Sequence, residues 1–64
     1  MTLHLYDPEA ADAARAQGLA SFRGEGRPNH HDVGSFPAYC WQAGWNQDVR
    51  SIEELYRDWT KSHA

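Results

Sequence analysis

His30, His31 and Asp32 stand in one polar stretch ahead of Cys40. Together they offer hard and soft ligands for a metal ion. Zinc takes four ligands in a tetrahedron, and adjacent histidines seldom reach the same ion. Cys40 is the lone cysteine, so no Cys-x-x-Cys pair completes a site. A solvated polar loop accounts for these residues better, and no metal is expected. Cys40 beside the histidines also suggests a thiol nucleophile. That chemistry requires a base within hydrogen-bond reach and an oxyanion pocket. A chain of 64 residues has little room for a substrate cavity of roughly 300 Å³. Cys40 is therefore expected to be a small buried side chain next to Trp41. Neither catalysis nor a cofactor is expected.

Two other groups of residues carry charge. Arg15, Arg23 and Arg27, with the loop histidines, form the one local positive excess. With Trp41 or Tyr39 nearby they suggest phosphate contact and stacking on single-stranded RNA. Ordinary solvation and a cation at the first helix's C-terminus explain them more simply. Asp48, Glu53, Glu54 and Asp58 lie along the C-terminal segment off its apolar stripe. Such a surface suits a basic patch on a protein partner. Gly24-Glu25-Gly26-Arg27 lacks the Gly-x-x-x-x-Gly-Lys-Ser/Thr pattern that cradles phosphates.

The formal net charge is -3, with nine acidic residues against six basic ones. That balance argues against a protein that grips nucleic acid through its overall field. The lone cysteine excludes an internal disulfide. Residues 1–64 are expected to form a single small helical domain, near the lower size at which a core alone supports folding. No stretch approaches the roughly 20 apolar residues that span a bilayer, and Met1 to Tyr6 lack the character of a signal peptide. A cytoplasmic protein with no membrane contact is expected.

The elements that position these groups follow from caps and periodicity. Residues 1–6 read as an extended arm. Asp7, Pro8 and Glu9 start a first helix over residues 7–23. Ala11, Ala14, Gly18 and Ser21 give that helix a stripe with almost no side-chain volume, a groove for a bulky partner, beside Leu19 and Phe22. Residues 24–35 form a long polar loop. A second helical stretch, residues 36–62, starts at Ser35 with Pro37 in its first turn. Trp41, Trp45, Val49, Ile52, Leu55, Tyr56 and Trp59 trace one apolar stripe at gaps of three and four. One long helix, bent near Arg50, is favoured over two, although Ser51-Ile52-Glu53-Glu54 matches a capping box. Trp41 and Trp45 fall on one face, and Gly44 leaves a notch beside them. A buried tryptophan contributes on the order of 4–6 kcal/mol gross. Exposed Tyr56 and Trp59 thus predict self-association, as a homodimer, or a partner.

Ala14, Gly18, Ser21 and Gly24, followed by a Gly/Pro-bearing loop and Trp41-x-x-Gly44-Trp45, resemble the ribosome modulation factor family. They are also similar to its relatives, the small plasmid- and phage-borne proteins linked to ciprofloxacin resistance. The resemblance covers roughly residues 10–48. It implies an antiparallel two-helix hairpin held by Gly18, Trp41, Gly44 and Trp45, and binding to the small ribosomal subunit. This chain is acidic where those factors are basic, its Gly18–Gly24 spacing is a residue tighter, and its stripe around Trp59 is extra.

The expectation is thus an all-α antiparallel hairpin that acts by binding. Its first expected function is ribosome- or RNA-associated translation modulation, with Arg15, Arg23 and Arg27 on RNA. The alternative is a phage or mobile-element protein that inhibits a host protein through Glu53, Glu54, Tyr56, Asp58 and Trp59. A fluoroquinolone-modifying enzyme, which the resemblance also brings in, comes third.

Overall fold

Asp7 has extended backbone angles, and its carboxylate accepts the Ala10 N–H at 3.2 Å, with Pro8 following. A side-chain acceptor and a preset φ satisfy the open end of a new helix. The computed structural model describes residues 6–63. Apart from Tyr6, the expected N-terminal arm lies outside the described residues. Helix α1 runs Pro8–Ala20, and the chain then widens into a π-type turn over Ser21–Glu25. Gly26 closes that turn in the left-handed region (φ 66°), its N–H donating to the Ser21 carbonyl at 3.1 Å. Regular α-helix therefore ends ahead of the expected Arg23. Helix α2 runs Phe36–Trp45, with the Ser35 hydroxyl accepting the Ala38 N–H at 3.3 Å and Pro37 in the first turn.

The small-residue stripe of α1 is its buried face. Ala11 and Ala14 are each 1% exposed, and Gly18 and Ser21 are buried with them. Ala11 and Ala14 pack against Phe36, Cys40 and Ala43 of α2. At the crossing the two backbones nearly touch. A Cβ on Gly18 would lie 1.9 Å from the Trp41 carbonyl oxygen, and one on Gly44 would lie 1.9 Å from that of Arg15. Each glycine thus makes room for the opposite main chain.

The antiparallel hairpin is not what forms. Ala10 and Ala11 share a groove with Phe36 and Pro37, so the two N-termini lie together. At the far end Phe22 meets Trp45. Helices α1 and α2 therefore run parallel. The reason lies in the connection between them. A parallel neighbour requires the chain to travel back along the whole of α1 before α2 begins, and the long polar loop does this. Asn29 fastens it to α2, its Nδ2 donating to the Ala38 carbonyl at 3.0 Å. The His31 ring nitrogen Nε2 and Gln17 Oε1 lie 3.1 Å apart, tying the loop to α1.

Nor is there one long second helix. The described residues hold three α-helices, the last being α3, Ile52–His63. Helix α2 stops in a Schellman turn. The Asp48 N–H donates to the Ala43 carbonyl at 2.8 Å and the Gln47 N–H to the Gly44 carbonyl at 3.0 Å, while Gln47 takes φ 59°. Ser51 and Glu54 then form the capping box that restarts the chain as α3, each accepting the other's N–H at 3.2 Å. After the reversal α3 lies antiparallel to α2, with Tyr39 beside Asp58 and Phe36 beside Trp59. Ile52 and Leu55 enter the core at 9% and 0% exposure. Val49, expected on the same stripe, sits in the reversal and is exposed.

Candidate functional site

Most residues singled out by the sequence have tasks within the fold. The Arg15 guanidinium donates to the Arg50 carbonyl and lies 3.4 Å from Asp12. It thereby ties α1 to the segment joining α2 and α3. Tyr39 Oη donates to Asp58 at 2.7 Å. That bond lowers the Asp58 pKa and raises that of Tyr39, because it favours the carboxylate and holds the phenolic proton. Arg50 lies 3.6 Å from Asp58 and 2.7 Å from Asp48. Hydrogen bonds from the Arg50 side chain hold the Asp48 carboxyl below its ordinary range. Glu54 belongs to the capping box, and Glu53 lies 3.6 Å from Arg57 one turn on. The acidic face of α3 is therefore largely engaged within the chain.

Tyr56 and Trp59 also turn inward. Tyr56 meets Phe36 edge-on, with centroids 5.1 Å apart, and lies 4.8 Å from the Tyr6 ring. Trp59 lies 5.5 Å from Phe36 and donates its indole N–H to the Gly34 carbonyl at 3.1 Å. Cys40 is fully buried, and that burial pushes its thiol up to about 11. His30 and His31 stack on one another at 4.4 Å. Burial, then the neighbouring His30, lowers the His31 pKa. Among the described residues no three His, Cys, Asp or Glu side chains gather as a metal site.

What faces outward is the end where α1 and α2 finish together. Trp41 and Trp45 stack with planes 9° apart and centroids at 5.8 Å. Trp41 is buried at 6% exposure, whereas Trp45 is 37% exposed. Phe22 meets Trp45 edge-on at 5.5 Å and is 46% exposed. Parallel packing brings these rings together, which is why the sequence could name Phe22 but not its partner. Arg23 follows Phe22, and Arg27 sits across a cleft from Trp41 and Trp45. Both arginines are exposed, and among the described residues neither pairs with a carboxylate. Glu25, exposed between them, also stays unpaired among the described residues.

The loop carrying Arg27 has a fixed backbone. Ser21, 2% exposed, donates its hydroxyl to the Arg27 carbonyl, while Gly26 donates back to the Ser21 carbonyl. Arg27 can therefore reach into solvent from an anchored main chain, beside half-exposed aromatic rings. Bases pack on such rings and phosphates pair with such guanidinium groups. Gln42 completes the cleft with Gly26, Arg27, Pro28, Trp41 and Trp45; nothing in the residue pattern marks it. No helix among the described residues is long and apolar enough to cross a membrane. Comparisons with family models, with curated proteins and with solved structures find no match for this chain.

Proposed function

We propose that this chain is a non-catalytic binding protein that associates with RNA, in the manner of a ribosome-associated translation modulator. The observation that carries this is exposed Trp45 in one cleft with Arg27, Phe22 against Trp45, and Arg23 next along the chain, two cations with no carboxylate partner among the described residues. Arg15 is given a supporting part, because its guanidinium is occupied by the Arg50 carbonyl and Asp12. With only two arginines the grip is weak and local, consistent with a net charge of -3. Binding through the acidic face to a host protein has less behind it, since Glu54 and Asp58 are held within the fold. The dimer expected from surplus apolar surface also loses much of its motive, because Leu55 is buried and Tyr56 and Trp59 are partly buried by α3's own packing.

The test is co-sedimentation with ribosomal subunits in a low-salt sucrose gradient, with and without nuclease. The native chain is expected in the subunit fractions, and Arg23→Glu with Arg27→Glu is expected at the top of the gradient. Glu25→Gln removes the intervening negative charge and is expected to strengthen association. Two phosphate contacts on a single strand predict a slope of about -1.4 for log affinity against log salt. A chain that never enters the subunit fractions, or one whose association ignores both arginines, refutes the proposal. Sedimentation equilibrium of the protein alone decides the dimer.

A further inference from the structure

The cleft beside the indole pair limits which part of an RNA chain enters it. Gly26, Arg27 and Pro28 form one wall, and Trp41, Gln42 and Trp45 form the other, around about 250 Å³. A single base and part of its sugar match that size. In a duplex each base keeps both faces in the stack and its pairing edge occupied, so only an unpaired nucleotide can present a base here. Gln42 supplies what an aromatic surface lacks. Its side chain is exposed, and among the described residues nothing hydrogen-bonds its amide. A carboxamide holds donor and acceptor in one plane, the arrangement that reads the edge of a base. Across the cleft, the Ser21 hydroxyl holds the Arg27 main chain in place.

We infer that this cleft takes a single unpaired nucleotide, with its base against the exposed Trp45 ring, Gln42 on the base edge and Arg27 on the adjoining phosphate. The inference rests on the RNA proposal above and adds the class of site recognised: a single-stranded segment, loop or end, read at one position.

The experiment uses the full chain and labelled RNA homopolymers of each base. Anisotropy at low salt compares each single strand with a duplex of equal length. Single strands are expected to bind at least about tenfold tighter than duplex, with one base preferred. Gln42→Ala is expected to reduce that preference about tenfold while leaving the melting temperature unchanged, since Gln42 is exposed. Tryptophan fluorescence is expected to change with single strands and not with duplex. Equal affinity for strand and duplex overturns the inference while leaving RNA association intact. An unchanged base ranking in Gln42→Ala overturns it too. No binding to any RNA removes both proposals.

Discussion

Replacing Gly18 by alanine tests the helix crossing most directly. The added Cβ would stand 1.9 Å from the Trp41 carbonyl oxygen, 2.8 Å from its carbon and 3.0 Å from the Trp45 nitrogen. Ordinary contact begins near 3.4 Å, so the facing backbone must retreat by about 1.5 Å. The obstacle is main chain, which cannot swing aside as a side chain does. Overpacking of this kind costs about 1–3 kcal/mol, and more where backbones must part. Alanine returns about 0.8–1.0 kcal/mol of helix propensity. With the obstacle at the upper end of that range, the net loss is about 2 kcal/mol. A chain of this size has roughly 5 kcal/mol to lose. The melting temperature is expected to fall by about 8–16 °C. Far-UV circular dichroism and tryptophan fluorescence would follow the same transition. Gly44→Ala places its Cβ 1.9 Å from the Arg15 carbonyl oxygen and behaves alike. One separation relieves both clashes, so the double variant is expected to lose less than the two single losses added together. If Gly18→Ala melts at or above the native temperature, the helices do not cross at these residues.

Three further outcomes follow from the start of α3, the end of α2 and the core. Ser51→Ala removes half of the capping box and is expected to cost about 1 kcal/mol, read as a melting point about 4–8 °C lower. Gln47→Gly relieves a non-glycine residue at φ 59°. Its urea midpoint is expected to rise by an amount worth a few tenths of a kcal/mol, after the greater freedom of unfolded glycine is offset. Cys40 has its pKa raised from 9.0 to about 11 in the folded chain. The unfolded thiol therefore ionises first as pH rises. Its contribution is complete below pH 9 and is lost progressively toward pH 11. Urea midpoints measured across that range are expected to fall, and Cys40→Ala is expected to flatten the slope.

Local chemistry was legible wherever a residue type announced it. Asp7 with Pro8, and Ser35 with Pro37, started helices where a cap and a preset φ coincide. The stripe of Ala11, Ala14, Gly18 and Ser21 was readable as a groove because its residues recur at helical spacing. The direction of packing was not. The mixed loop over residues 24–35 fits either a slack antiparallel turn or a full return, and the meetings of Ala10 and Ala11 with Phe36 and Pro37 and of Phe22 with Trp45 distinguish them. The break after α2 was hidden for a different reason. Its left-handed position carries Gln47 where glycine is usual, and Val49 keeps the apolar spacing running through the gap. The competing signal, Ser51 with Glu54, was visible but was outweighed by that periodicity. At the candidate site, Arg23 and Arg27 were visible by charge. Gln42 was not, since an exposed glutamine on a helix carries no pattern.

The parallel run of α1 and α2 also governs how fast the molecule assembles. Helices α2 and α3 are neighbours along the chain and meet through a tight reversal, so their pairing closes a small loop. The glycine crossing instead joins residues 18 and 44 across the whole return segment, which costs more chain entropy before any contact compensates. Closure of that return segment is therefore expected to slow folding.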